Sequence, residues 1–389
     1  MSVPELLIEE TSRLKSLMNI NEMRLELDEI DFNKTFKDVQ KECVTPQALV
    51  DFLNQQLNKA SSLAQGTPIV PKAFAARLQR EKGGVTIGNV IDELTKPPKT
   101  IWGQNSKMAK SGKGVAVFMD MGLPAVKSIV YDIENNKFYY VTTCPGSGDC
   151  KAICYALNNH FIMYDPAWLA MTRNLNYLLN YPDEFEYMML LELNSACQKV
   201  RDKEIFLRWH DSGDFFAIAY MKIARRITDK LVAKGYNVTS YAYTKVAEAI
   251  NQLESEHFII TFSDSSNQTE KAKLGDYEGK RSVVVPKSLT IGLFVPAERV
   301  NPKTGKISTG GHIERDEEGK WKMIDPTGNA LKQVIAKHYG LDTSKLILNR
   351  ELPNLPENSE KKWYAIVPPG EDDISATRRD VLVSYLLQH

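Results

Sequence analysis

Apolar positions along this chain follow two different rhythms. Within residues 4–30, Leu6, Leu7, Leu14, Leu17, Met18 and Leu25 recur at helical spacing among acidic residues. Thr45 and Pro46 form a helix start, an N-cap followed by proline at the first helical position. The amphipathic run behind them carries Leu49, Val50, Phe52, Leu53 and Leu57, and Gly66, Pro68 and Pro71 end it. A short helix is predicted over Ile87–Leu94, stopped by Pro97 and Pro98. From about residue 115 the pattern changes to short apolar, β-branched and aromatic runs. Strands are predicted at Ser128–Tyr131, Lys137–Thr143, Ile205–Trp209, Val238–Tyr243, Phe258–Phe262 and Ser282–Val285. Helical patterns separate them over Trp168–Leu179, Asp183–Val200, Ala217–Leu231 and Val246–Leu253. Such alternation predicts a largely parallel sheet covered by helices.

The last ninety or so residues are less regular. Asn301–Lys322 is rich in Gly, Lys and Thr and reads as a hairpin or loop, and Leu331–His338 as a helix. The segment DDIS followed by ATRRDVLVSYLLQH predicts a capped terminal helix. The expected fold is therefore α/β, a partial (β/α) barrel-like parallel sheet. It has a helical N-terminal extension over 1–114, a β/α core with a cysteine loop over 115–299, and an irregular C-terminal segment over 300–389 packing on that core.

Composition narrows the class without naming a function. Hydrophobic residues make up 43% and charged residues 25%, values of an ordinary soluble globular protein. Forty-nine basic and 49 acidic side chains cancel, so no global field draws the chain to nucleic acid or membrane. The lysine-rich stretch Lys107–Lys113 lacks a phosphate-loop pattern and reads as a solvated loop. No apolar run is long enough to span a bilayer, and MSVPELLIEETSRL is acidic where a signal peptide needs basic residues. The expectation is a cytoplasmic protein with no membrane partner. Of the five cysteines, Cys43 and Cys197 fall in helical patterns and are expected in the core. The other three cluster, which points to metal binding or catalysis rather than a disulfide framework.

That cluster is CPGSGDCKAIC, with Cys144, Cys150 and Cys154 inside eleven residues. Thiolates suit soft metals, and the proline and glycines let the backbone curl around a centre. Three thiols without a fourth leave one position open, whereas a structural zinc site wants four ligands. The second motif, RWHDSGDFF, closes a predicted strand with Arg208, His210, Asp211, Ser212 and Asp214, a costly set to bury unless it binds something. His210, Asp211 and Lys245 are the catalytic candidates. Arg208, Ser212, Asp214, Tyr243, Thr244 and Ser263 are the candidates for cofactor contact. Thr244 and Lys245 end the strand of SYAYTK, and Ser263 ends the next one, in FSDSSN. Ligands of parallel α/β folds bind at the carboxyl ends of strands, so these polar ends imply one shared site.

The order CPGSGDCKAICYA, RWHDSGDFF, YAYTK and DDISATRRDVLVSYLLQH resembles the phage and prophage "gene product 88" domain family, from about Val130 to the C-terminus with gaps around 300–360. That family in turn looks like a distant relative of radical S-adenosylmethionine enzymes. The resemblance implies a [4Fe–4S] cluster on Cys144, Cys150 and Cys154, an open iron that binds S-adenosylmethionine, and a substrate related to nucleotides or nucleic acid. Ile153 matches an apolar position common before the last cysteine. The cysteines here are separated by five and then three residues, not the three and two usual in those enzymes. A phage-encoded chain of this kind would work in the host cytoplasm. Two other readings remain open: a metal-dependent hydrolase or nuclease with His210, Asp211 and Asp214 as ligands, and a zinc-stabilised module that binds nucleic acid or a host protein.

Overall fold

The structure, a computed structural model, describes residues 27–29, 70–83, 86–104, 116–134, 136–152, 154–158, 165–300, 307–308, 313–317, 320–357, 360–371 and 373–388. The expected helix near residues 45–57, Cys43, the Lys107–Lys113 loop and Ile153 lie outside them.

The described strands are β1 (Leu27–Glu29), β2 (Ala116–Met121), β3 (Lys127–Asp132), β4 (Lys137–Thr142), β5 (Glu204–Trp209), β6 (Val238–Thr244), β7 (Phe258–Ser263), β8 (Arg281–Val285), β9 (Arg299–Val300), β10 (Ile307–Ser308), β11 (Leu346–Leu348), β12 (Trp363–Val367) and β13 (Val381–Leu387). The helices are α1 (Lys72–Lys82), α2 (Ile87–Thr95), α3 (Tyr155–Asn158), α4 (Asp165–Asn180), α5 (Pro182–Lys199), α6 (Ile218–Ala233), α7 (Glu248–Leu253), α8 (Gln268–Leu274), α9 (Lys287–Thr290), α10 (Asn329–Tyr339) and α11 (Ile374–Thr377).

An eight-stranded sheet runs in the order β11-β12-β13-β8-β7-β6-β5-β2, and every neighbouring pair in it is parallel. The expected α/β class with a large parallel sheet holds. The sheet is open, with β2 and β11 at its edges.

Side-chain alternation gives this sheet two different faces. One face presents Ile205, Leu207, Trp209, Val238, Ala242, Phe258 and Ile260 to apolar residues of α5 and α6, and together they form the main core. Farther along, Val285, Ile366 and Tyr385 pack against Leu331 and Ile335 of α10. The second face carries a smaller apolar cluster of Phe118, Phe206, Tyr241 and Ile259, closed by Ala376 of α11.

Four expectations need correction. The strands β3 and β4 form an antiparallel hairpin with β1 in a separate sheet, so the cysteine loop does not follow a strand of the parallel sheet. The hairpin packs instead with α1, α2 and α4. Leu27–Glu29, placed in a helical pattern, is strand β1. The strand β2 was not expected at all. The terminal helix is a single turn, α11, followed by strand β13 in the middle of the sheet. Apolar but for Ser384 and half-buried or buried throughout, VLVSYLL has no period that separates strand from helix.

Candidate active site at the carboxyl rim

The cysteine loop, though it leaves an outer hairpin, comes to rest on the carboxyl ends of β6 and β7. Gly146 lies against Lys245 so closely that a Cβ there would stand 2.1 Å from the Lys245 carbonyl oxygen. Gly148 is similarly pressed on Ser266, whose carbonyl oxygen would lie 2.8 Å from an added Cβ. Only glycine fits such backbone-on-backbone contact. Asn267 locks the loop: its backbone N–H donates to the Gly146 carbonyl (2.8 Å) and its side-chain amide to the Pro145 carbonyl (3.0 Å). Asn267 also caps α8, accepting from the Glu270 N–H at 2.9 Å.

This docking gathers the three thiols around Lys245, and each raises the pKa of its ammonium although burial works against it. Cys144 accepts the Val126 N–H at 3.3 Å. Val126 itself has φ 64°, a conformation that a β-branched residue rarely adopts. Burial pushes the Cys144 thiol up to about 12, and the Asp214 carboxylate pushes the same way. Cys154 is also raised, by burial first, while the backbone N–H groups of Ala156 and Leu157 act against the rise. A thiolate here needs a partner of opposite charge, which Lys245 supplies in part. Among the described residues no three His, Cys, Asp or Glu side chains are set to grip one metal ion.

Asp214 ties the two neighbouring rim loops together. Its carboxylate accepts from the Thr244 hydroxyl (2.6 Å), the Lys245 N–H (2.8 Å) and its neighbour's N–H at Phe215 (2.8 Å). The helix α6 instead has Ala217 at its N-cap, with no side-chain cap. Asp214 therefore positions Lys245 under the thiols, and Thr244 is its buried partner rather than an open ligand group.

His210 sits apart from this group. It has φ 64°, is 4% exposed, and lies edge-on to Phe215 with ring centroids 4.4 Å apart. Its Nε2 pairs with the Tyr220 hydroxyl at 2.8 Å. Burial, with Arg208 adding to it, lowers its pKa to about 3, so the imidazole is neutral at physiological pH. The His210–Asp211–Asp214 metal triad is not assembled, because each of the three has a separate setting. Ser212 is buried, its carbonyl accepting the Leu123 N–H at 2.8 Å. Gly213, at φ 83°, allows the tight approach to Leu123.

On the second face of the sheet Arg208 meets a counter-ion that sequence reasoning missed. Its guanidinium lies 2.7 Å from Asp373, just before α11, and 5.9 Å over the Tyr243 ring. Tyr241 donates its hydroxyl to the same Asp373 carboxylate at 3.2 Å. Burial works against the Arg208 charge, but Asp373 first and then Tyr155, Tyr241 and Asp211 hold it firmly protonated. The Asp211 side chain hydrogen-bonds that of Asp120, at the end of the unexpected strand β2. Two carboxyl groups share a hydrogen bond only when one is protonated. Asp211 is correspondingly raised to about 7, by burial first, then by Asp120, with Arg208 opposing. Tyr155 connects the two halves: it follows Cys154 directly, and its phenol, pushed up by burial, feels Arg208, Asp211, Cys154 and Asp373. Its phenol is thus in a buried setting although 45% of the residue's surface is exposed. Ser263 lies farther along the second face, its hydroxyl 2.9 Å from that of Ser265.

Residues 94–311, more than half of the chain, match the family described as gene product 88. The chain belongs to that phage protein family. No curated protein and no solved structure matches it. The matched stretch includes all three cysteines, Asp120, Arg208, Asp211, Asp214 and Lys245, whereas Asp373 lies beyond it. Among the described residues no helix is long and apolar enough to cross a membrane.

Proposed function

We propose that the chain is an enzyme whose active site is this rim, with Cys144, Cys150 and Cys154 holding a [4Fe–4S] cluster. The observation that carries this reading is the docking of the cysteine loop on Lys245 and Ser266, which brings three thiols to the carboxyl ends of parallel strands. The donor set is all sulfur, which suits iron and other soft metals. When bound, such a cluster would supply one-electron chemistry and one open iron for a substrate or for S-adenosylmethionine.

The chain's own groups have definable tasks around it. Lys245 offsets negative charge on the thiolates, and Asp214 holds Lys245 in place. The Asp120–Asp211 pair keeps a proton available beside Arg208, and Asp373 fixes the Arg208 guanidinium. A substrate related to nucleotides would lie between this pair and the thiols.

Anaerobic reconstitution with iron and sulfide tests the reading. Iron and sulfide are expected at about four each per chain, with charge-transfer absorption that is lost in Cys150→Ala. Stoichiometric zinc in a colourless protein after the same treatment would sink the cluster and leave the zinc-module reading. Adding S-adenosylmethionine to a formed cluster should perturb its spectrum. An unchanged spectrum would discard that cofactor and keep the cluster.

A further inference from the structure

The second face of the sheet carries a polar residue on each of six adjacent strands. Asp120 of β2 registers with Arg208 of β5, and Arg208 with Tyr241 of β6. Tyr243 of β6 registers with Thr261 of β7, Ser263 with Ser282 of β8, and Ser282 with Ser384 of β13. Opposite them runs α11, which rests on β6, β7 and β13 and contributes Ser375. A sheet face covered by an apolar helix normally fills this layer with aliphatic side chains. Here β7, β8 and β13 instead present small hydroxyl residues.

Four of those hydroxyl residues, Thr261, Ser282, Ser375 and Ser384, are at most 1% exposed, and their hydroxyls have no hydrogen-bond partner. Leaving one buried hydroxyl unmet is costly, and three on the sheet face with Ser375 of α11 opposite them call for an occupant that meets them. Buried water is the plain alternative. A ligand fits better because the row continues into the candidate active site, where Arg208 Nε and Asp211 Oδ1 are also buried without partners.

Charge narrows the class of occupant. Arg208 is already matched by Asp373 and faces Asp211. Lys280, beside α11, gives its ammonium to the carbonyls of Ser375, Arg378 and Val381 at 2.5–2.9 Å. Neither cation is placed to receive a phosphate. Neutral hydroxyl donors and acceptors beside carboxylates match a sugar or another cyclic polyol, each ring hydroxyl both giving and accepting a hydrogen bond.

We infer that the second face between β7, β8, β13 and α11 binds a small neutral polyhydroxyl group, the part of the substrate that lies away from the thiols. This rests on the reading of the rim as an active site and names the substrate class for it.

Saturation-transfer NMR on the full chain tests it, with D-ribose and uridine as probes and inorganic phosphate as competitor. Uridine should receive saturation, and phosphate should not displace it. Ser282→Ala and Ser384→Ala remove an unmet polar group each, so both variants keep the fold. Each should weaken uridine binding about tenfold, or by a few-fold at the least. Three results overturn the inference: no transfer to either probe at millimolar concentration, displacement by phosphate, or alanine variants that bind as well as the parent chain. The last would mark the row as water-filled. The measurement is made on both metal-free and reconstituted protein. Probe binding in a protein that fails to form a cluster on reconstitution would refute only the iron reading, and a formed cluster without probe binding would refute only this one.

Discussion

The proton shared by Asp120 and Asp211 has a consequence for stability that can be measured without knowing the substrate. The perturbation is Asp120→Asn. In the parent chain Asp211 is raised from 3.8 to about 7, a shift of roughly three units. At about 1.4 kcal/mol per unit this corresponds to about 4 kcal/mol, and partial solvent contact reduces it to roughly 2 kcal/mol. The sign follows from linkage. Between about pH 4 and about pH 7 the native state holds a proton that the unfolded chain has released. The contribution is fully present below pH 4 and is lost as pH rises through 7. Arg208 and Tyr155, near the pair, keep their charge state across that window, whereas His210, neutral when native and protonated when unfolded at the acid end, adds stability as pH rises.

Asparagine at position 120 can donate its amide to an ionised Asp211, so the raised pKa should collapse toward the ordinary carboxylate range. Urea unfolding at several pH values should show the parent chain's stability relative to Asp120→Asn falling by about 1–2 kcal/mol between pH 4 and pH 7, on top of the change that His210 gives both chains. Infrared difference spectra near pH 6 should show a protonated-carboxyl band that both Asp120→Asn and Asp211→Asn remove. Parallel stability profiles for parent and variant, with no such band, would refute the shared proton.

Three further outcomes follow from contacts in the same region. Gly146→Ala places a methyl 2.1 Å from the Lys245 carbonyl oxygen, so the cysteine loop must lift. Stability should fall by about 1–3 kcal/mol, and limited proteolysis should cut the loop sooner; an unchanged digestion pattern would contradict the docking. Lys280→Met strips the donor from three carbonyls around α11 and should cost about 2–4 kcal/mol in urea unfolding, whereas a neutral effect would mean those carbonyls find other partners. Lys245→Met removes the cation that lowers the Cys144 and Cys154 thiol pKa, so alkylation of metal-free protein near pH 8 should slow by about fivefold; an equal rate would place the ammonium away from the thiols.

The β/α core was legible because its strands and helices differ in period. The runs at β5, β6 and β7 alternate between one face filled with aliphatic and aromatic residues and another that is partly polar, and their helices were placed within a few residues. Of the polar strand ends, Asp214 and Lys245 lie together beside the thiols, whereas Arg208 pairs with Asp373 on the second face. Pairing was not legible. Nothing local in KSIVYD or KFYYVT says that these strands bond to each other rather than to the parallel sheet. His210 illustrates a different limit. A histidine between a tryptophan and an aspartate reads as chemistry, yet its ring is turned into an aromatic cluster with Phe215 and Tyr220. Asp120 and Asp373 escaped notice because their meaning is wholly tertiary. One lies in a strand that follows a lysine-rich stretch of sequence, and the other sits in DDIS, where helix capping explains an aspartate equally well.

The position of Asp373 changes how the family match should be understood. The matched stretch, residues 94–311, holds the thiols, Lys245, the carboxyl pair and Arg208. It does not hold the carboxylate that neutralises Arg208, nor Ser375 and Ser384. A buried guanidinium without a counter-ion is far costlier than one that is paired. The last part of the chain therefore does more than pack on a finished core. β13 inserts between β8 and β12 in the parallel sheet, and α11, held by Lys280, lays Asp373 against Arg208 and Tyr241. The thiol half of the site is built within the matched stretch. The half that would recognise a substrate is shared with the C-terminal strands, and variation there would change what is bound while the cysteine loop stays as it is.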